Sequence, residues 1–420
     1  MHDFTYKNSE LYAEDVPVRK IAEAAGTPLY IYSCRTLLRH FMAYKEAFNG
    51  YPHITCFALK ANSNISILRL LAKEGSGADV VSGGELFTAL KAGIPAKKIV
   101  YAGVGKTEEE IIYALKSRIL MFNVESADEL GSINEIAGRL KVKAPIALRV
   151  NPDIHAQTHP YISTGLKKHK FGIPMEQALE HYRLASRLPN IKILGIHKHI
   201  GSQITKTSPF VDALKKVLSL ANSLKAAGIG IKYLDIGGGL GIPYGNDGEL
   251  PPYPSELAVA ILPHLKTHNF TLIIEPGRSI AGNAGILVTK VLYLKRGFDR
   301  EFIIVDAGMN DLLRPSIYNA YHHILPAVRK NRPKIFSDIV GPICESGDFL
   351  GKDRTISRPL KGEFLAVMSA GAYGFSMSSN YNSRTKAAEV MVNGKEFFII
   401  RERETYKDLV RGTKIPGFLK

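Results

Sequence analysis

From about residue 54 to residue 277 the chain alternates two kinds of apolar pattern. Short β-branched runs at 54–60, 78–82, 99–102, 120–124, 146–151, 193–199, 233–236 and 271–275 have the length and composition of buried strands. Between them, segments such as 85–92, 108–116, 127–140, 175–188 and 210–227 carry apolar residues at helical spacing. Eight strands alternating with helices predict a (β/α)8 barrel. An open doubly wound sheet is the alternative, but no glycine-rich first turn accompanies the repeats. After about residue 282 the texture changes, and runs at 286–294, 302–306, 363–367, 388–392 and 397–401 read as strands joined by turns. The expected fold class is α/β plus all-β. A TIM-like barrel spans 26–282, and a C-terminal β-barrel or β-sandwich domain spans 283–420 and takes in residues 1–25.

Composition narrows the field. A length of 420 residues suits about two domains, and 45% hydrophobic with 22% charged residues is the balance of a soluble globular protein. The polar start and the lack of an apolar run of about eighteen residues predict neither an export signal nor a membrane span. Cys34, Cys56 and Cys344 are odd in number and far apart, which argues against a disulfide framework or a metal site and fits a reducing cytoplasm. The formal charge of +16 raises the question of nucleic acid, but the basic residues are dispersed. The densest group, Lys167-Lys168-His169-Lys170, is short and has no nucleic-acid motif beside it. No nucleic-acid partner is expected, and the charge reads as a solvated surface.

The candidate chemistry sits where the strands end. The first run closes on Lys60 behind a fully apolar body. A buried ammonium is costly to desolvate, so such a lysine reaches solvent, pairs with an anion or serves as a nucleophile. The second run carries Asp79, the fifth ends on Arg149 and the sixth on His199. The seventh runs into Gly237-Gly238-Gly239 and the eighth into Glu275-Pro276-Gly277-Arg278. Each has a bland reading: Lys60 snorkelling at a strand end, Arg149 a satisfied surface residue, His199 structural. Their coincidence on the C-terminal face of one barrel, where such folds place active sites, is harder to dismiss. The triple glycine leaves room for backbone N–H groups to close on a phosphate, with Arg278 on the adjacent strand. A carboxylate such as Glu275 can keep a pyridine nitrogen protonated, making the ring an electron sink. Lysine, phosphate cradle and carboxylate together describe a pyridoxal phosphate pocket.

At this point the chain resembles the fold-type III pyridoxal-phosphate decarboxylases, and among them most closely the diaminopimelate decarboxylases. The resemblance rests on Phe57-Ala58-Leu59-Lys60-Ala61-Asn62, Asp79-Val80-Val81-Ser82-Gly83-Gly84-Glu85, His199-Ile200-Gly201-Ser202-Gln203, Gly237-Gly238-Gly239 and Glu275-Pro276-Gly277-Arg278. It continues in Cys344-Glu345-Ser346-Gly347-Asp348 and Gly371-Ala372-Tyr373-Gly374, so it covers nearly the whole chain. It implies that Lys60 anchors pyridoxal 5'-phosphate as a Schiff base and that His199 stacks on its ring. Asp79, Ser202, Gly238, Gly239, Glu275, Gly277, Arg278 and Tyr373 complete the cofactor site. Arg278, Arg314, Tyr318, Glu345 and Tyr373 would bind the substrate, and Cys344 of a partner subunit would protonate Cα. The implied reaction is decarboxylation of meso-2,6-diaminopimelate to L-lysine and CO2, the last step of lysine biosynthesis, by a cytoplasmic homodimer with shared active sites and no metal.

Three alternatives stay open. A sister decarboxylase for ornithine, arginine, D-lysine, D-ornithine or carboxynorspermidine would keep barrel and lysine, although Arg314 with Glu345 suits a substrate that is charged at its far end. An alanine racemase typically faces the pyridine nitrogen with arginine. A non-enzymatic single-barrel carrier of pyridoxal phosphate lacks the β domain.

Overall fold

The computed structural model describes residues 2–154, 170–245, 250–298 and 300–419. Apart from Lys170, the basic group at 167–170 lies outside the described residues. The chain divides into two compact units. One comprises 38–280 except Tyr244 and Gly245; the other comprises 2–37, those two residues and 281–419.

In the first unit, among the described residues, eight parallel strands close into a barrel: β1 (His53–Ala58), β2 (Gly77–Val80), β3 (Ile99–Tyr101), β4 (Met121–Val124), β5 (Ala144–Asn151), β6 (Ile191–His197), β7 (Tyr233–Asp235) and β8 (Thr271–Ile274). Each pairs with its successor, and β8 returns to β1 with Ile273 opposite Ile54, so the barrel leaves no edge among these strands. Helices α1 (Ile65–Lys73), α2 (Gly83–Lys91), α3 (Glu108–Ser117), α4 (Ala127–Arg139), α5 (Met175–Arg187), α6 (Ser208–Ala226) and α7 (Pro254–Ile261) alternate with the strands. Short polar residues start several of them. Ser82 accepts the Glu85 N–H at 3.2 Å, Ser126 accepts that of Glu129 at 3.2 Å, and Thr107 forms a capping box with Glu110.

The eight predicted strands are all present, with corrected ends. β1 stops at Ala58, so Lys60 sits in the turn that follows, and β6 stops at His197 rather than His199. Arg149 lies inside β5, which runs on to Asn151. It is a buried residue, ion-paired with Glu125 at 2.8 Å, and not a surface one.

The barrel interior is layered by the two-residue strand repeat. Its lower layer is apolar, built from Cys56, Val100, Met121, Ala147 and Ile273. Two residues further along their strands stand Asn123, Arg149 and Glu275, all buried and all polar. The same upper region holds buried Asp79, His197 and Asp235. A polar layer here means that the barrel's upper end is not part of the packed core.

Among the described residues the second unit is dominated by a nine-stranded sheet. Its strands include β9 (Gly285–Arg296), β10 (Glu301–Val305), β11 (Ile324–Pro326), β12 (Lys334–Val340), β13 (Phe349–Ser357), β14 (Phe364–Val367), β15 (Ala388–Asn393) and β16 (Glu396–Arg401). The ninth, Leu29–Ser33, lies between β9 and β15. β9 is long enough to pair with β14 over Leu287–Lys290 and with β10 beyond Val291, and this branches the sheet.

The N-terminal segment is sewn to this sheet by one buried carboxylate. Glu14 accepts Ser33 Oγ and Arg35 N–H at 2.8 Å each and the Gly394 N–H at 2.6 Å. Glu14→Ala strands three donors at once, and we expect it to lower stability by about 2–4 kcal/mol in chemical denaturation.

Candidate active site

Lys60 leaves the turn after β1 and forms an ion pair with Asp79 of β2. Asp79 is fully buried. Burial and the nearby Glu275 raise its carboxyl, and the Lys60 ammonium opposes them. Beside them Glu85, which accepts the Val81 N–H at 2.8 Å, is pushed by burial up to about 7.

Deeper in the barrel two carboxylates share one polar network. Asn123 donates to Asp235 Oδ2 and to Glu275 Oε1, at 3.4 Å each. Asp235 Oδ1 accepts the Gly237 N–H at 2.9 Å, and His197 Nε2 lies 3.5 Å from Glu275 Oε2. The two acids diverge. Burial and the Glu275 charge hold Asp235 well above the ordinary carboxylate range. Burial also works to raise Glu275, but His197 and Lys60 outweigh it and hold that carboxyl well below its usual range. The two neighbouring carboxyls are thus pushed in opposite directions in one dry pocket.

His199 sits two residues beyond β6. Its Nδ1 accepts the Gly238 N–H at 3.3 Å, and burial, Lys60 and Arg149 push the imidazole well below its usual range. It is therefore a neutral ring. The glycine loop next to it has no room for side chains. A Cβ on Gly238 would lie 2.1 Å from the Glu275 carbonyl oxygen, and one on Gly239, whose φ is +115°, 2.4 Å from the Gly201 carbonyl oxygen. Ser202 faces this loop's neighbourhood, and Arg278 donates to its Oγ from Nε at 3.2 Å and Nη2 at 3.0 Å. Gly277 is less severely confined, with the Ala61 and Ala58 methyls 3.0 and 3.1 Å from a would-be Cβ. The barrel's C-terminal end thus unites Lys60, Asp79, His199, Ser202, Gly238, Gly239, Glu275, Gly277 and Arg278.

The remaining sequence-predicted residues belong to the second unit. Arg314 and Tyr318 are the first and last residues of one short helix, Arg314–Tyr318. The Arg314 guanidinium is buried, 2.7 Å from His322 Nε2 and 4.6 Å from the centre of the Tyr244 ring. His322 Nδ1 lies 2.8 Å from the Met368 carbonyl oxygen, which fixes Nδ1 as the protonated nitrogen and leaves Nε2 to accept from Arg314. Cys344 and Glu345 are exposed on a loop pinned by Asp348, whose carboxylate accepts the Met309 and Ile343 N–H groups at 2.6 Å each. Tyr381 Oη donates to Glu345 at 3.1 Å. Tyr373 is half-buried in a left-handed backbone conformation, φ +56°.

Sequence reasoning passed over Asn123, His197, Asp235, Tyr244 and His322. The first three carry a usable signal: each is a lone polar residue on the inward face of a barrel strand. Tyr244 and His322 carry none, since nothing in their own segments points to Arg314.

Comparison with known proteins identifies the family. Residues 34–282 match the family described as "Pyridoxal-dependent decarboxylase, pyridoxal binding domain". The diaminopimelate decarboxylase of Aquifex aeolicus is 55% identical over 405 residues, covering 96% of this chain and 96% of that protein. That of Haemophilus influenzae is 54% identical over 411 residues, 97% of this chain and 98% of the relative. The crystal structure of diaminopimelate decarboxylase from M. jannaschii in co-complex with L-lysine superposes with a TM-score of 0.95 at 42% identity, over 100% of both chains. The Helicobacter pylori enzyme complexed with L-lysine gives 0.90 at 45% identity over 94% of this chain and 98% of that one. By identity over nearly its whole length, this chain belongs to the diaminopimelate decarboxylases, a family of pyridoxal-dependent decarboxylases.

Proposed function

We propose that the protein removes one carboxyl group of meso-2,6-diaminopimelate to give L-lysine and CO2. The observation that carries this reading is the Lys60–Asp79 ion pair set among a side-chain-free glycine loop, the Arg278–Ser202 pair and a deprotonated Glu275. Pyridoxal phosphate fits these residues. The loop at Gly238 and Gly239 excludes any Cβ, which suits close approach of a phosphate, and the cationic Arg278 stands by. When bound, the cofactor supplies an electron sink for the pair left behind by CO2.

The chain's own residues do the rest. Lys60 is the covalent anchor, its ammonium held by Asp79 until it reacts. Neutral His199 offers a flat face for stacking without a competing charge. Glu275 holds a proton on the ring nitrogen, which a neutral carboxylic acid would do poorly. Arg314, held by His322 and the Tyr244 ring, suits two-pronged binding of the distal carboxylate, and Tyr318 and Arg278 are assigned to the same end of the substrate. Glu345 takes the distal ammonium, and Tyr373 reaches both phosphate and substrate. The Cys344 thiol delivers to Cα the proton that replaces CO2. Its exposure and the rigid Asp348 anchor of its loop support service to the site of a second copy, in a cytoplasmic homodimer.

The test is CO2 release from a panel of meso-diaminopimelate, L-ornithine, L-arginine, L-lysine, D-lysine, D-ornithine and carboxynorspermidine. We expect turnover on the first to exceed any other by at least about 100-fold, the discrimination of a site whose charged groups would be left unpaired by the wrong substrate. Comparable rates on a diamino acid lacking the second carboxylate would overturn the substrate assignment.

A further inference from the structure

We propose that His322 is a positioning residue that sets substrate specificity: as a neutral hydrogen-bond acceptor it orients the Arg314 guanidinium without cancelling its charge. The inference rests on the reading of Arg314 as the group that receives the distal carboxylate. His322 is fully buried, and both of its ring nitrogens are engaged. Nδ1 donates to the Met368 carbonyl oxygen at 2.8 Å, so Nε2 keeps its lone pair and accepts from Arg314 Nη1 at 2.7 Å. Met368 directly follows β14, and its own N–H is bonded to the His323 carbonyl at 2.8 Å. The imidazole is therefore anchored on fixed backbone. Tyr244 holds it from the side, edge-on with ring centres 5.1 Å apart and planes at 77°, while the Arg314 guanidinium carbon lies 4.6 Å from the centre of the same Tyr244 ring.

The backbone beneath Arg314 is held by other means. Its carbonyl accepts the N–H of Asn319, which ends the short helix in a left-handed conformation. Ser316 Oγ donates to the Gly347 carbonyl at 2.6 Å and ties the same helix to the loop at 344–348. Arginine has a long side chain with much rotamer freedom, so a fixed backbone leaves the direction of the guanidinium open. His322 supplies that direction from a segment eight residues further along the chain.

The choice of histidine has a chemical reason. A carboxylate in its place would orient the arginine equally well, but it would neutralise the charge that attracts the substrate and compete for the same fork of N–H groups. A neutral imidazole uses one of the five N–H groups and leaves the positive charge whole. Arg314 is itself buried, so a ligand without the distal carboxylate leaves an oriented cation facing no anion. That penalty is what rejects a plain diamine or diamino acid.

The test uses the full-length holoenzyme and two ligands. L-Lysine keeps the carboxylate assigned to Arg314, and 1,5-diaminopentane has the same skeleton without it. Calorimetry gives both affinities, and steady-state assays give KM and kcat for meso-diaminopimelate. His322→Phe keeps a ring against Tyr244 and removes both hydrogen bonds. We expect its affinity for L-lysine to fall about tenfold or more, and that for 1,5-diaminopentane to change less than about twofold. KM should rise in step with the loss of L-lysine affinity while kcat stays within about threefold, because the distal end is held alike before and during reaction. His322→Gln, whose amide can donate to Met368 and accept from Arg314, should restore L-lysine affinity to within about threefold of the parent. An unchanged L-lysine affinity in His322→Phe overturns the proposal. So does an equal loss of both ligands, the mark of a merely structural role, or a His322→Gln protein no better than His322→Phe. If His322→Phe does not fold, His322→Asn, polar but too short to span both partners, is judged by the same ratio of the two affinities. Arg314→Gln separates the two claims, and His322→Phe should add nothing to its effect in the double variant. If Arg314→Gln leaves L-lysine affinity untouched, the reading of Arg314 fails; if it lowers that affinity while His322→Phe does not, only the present inference fails.

Discussion

Lys60→Ala is expected to lower turnover by a factor on the order of 10^4 or more, the scale seen when a covalent catalyst is removed. Among the described residues, no other group near the cradle is placed to take over. Arg278 is paired with Ser202, Arg149 with Glu125, and guanidinium groups do not lose the proton that a nucleophile must give up. Lys198 points at Phe210 in the helical shell. Part of the effect could come from Asp79, which is buried and would lose its cation. Lys60→Arg settles that point. It restores a positive charge opposite Asp79, so it should recover thermal stability while leaving turnover and covalent cofactor attachment absent. Stopped assays of CO2 release, with reduction by borohydride and mass measurement of the retained cofactor, read both halves. A Lys60→Ala protein with normal turnover sinks the assignment of the anchor.

The second large effect comes from a single methyl group. In Gly238→Ala the new Cβ would stand 2.1 Å from the Glu275 carbonyl oxygen and 3.0 Å from its carbon, both backbone atoms held in place. Neither side can yield cheaply, because the Glu275 N–H is bonded to the Gly237 carbonyl at 3.0 Å and Ile236 N–H to the Ile273 carbonyl at 3.0 Å. Such overpacking costs about 1–3 kcal/mol. The displacement falls on Glu275 and on the phosphate cradle together, so we expect cofactor affinity to drop roughly 10- to 100-fold along with a lowered melting temperature. Gly131→Ala is the control. It lies in α4 with no atom within 4 Å of the added Cβ, and it should leave cofactor binding intact while raising stability by up to about 1 kcal/mol. A Gly238→Ala protein that binds pyridoxal phosphate as the parent does would remove this loop from the cofactor site.

Much of the barrel was legible because its strands are buried on both faces and so read as unbroken apolar runs, each ended by a polar residue that the core cannot hold. Lys60, Asp79, Gly238 and Glu275 were visible on those terms. Strand ends were less so. The expected strand at 193–199 ran on through His197-Lys198-His199, while the ladder stops at His197, opposite Asp235, where neighbouring β7 also ends. The second unit was read only in part. Leu29–Ser33 went unread as a strand, yet it is a central strand of the sheet, because its partners β9 and β15 come from the far end of the chain.

The sequence by itself determined the alternation of strands and helices, the lysine anchor, the glycine cradle, and the motifs that identify the family. These are local features, set by propensity, burial pattern and backbone freedom within a few residues. Only the tertiary structure decided which acids meet in the barrel and which arginine is held ready. Asn123, His197 and Asp235 lie on three different strands and Glu275 directly follows a fourth, so they meet only because the barrel closes, and their protonation depends on distances of a few ångströms in a dry interior. Arg314, His322 and Tyr244 form a second such group, drawn from segments that share no pattern. Electrostatic roles of this kind arise from proximity and desolvation, and neither quantity is written in the order of residues along a chain.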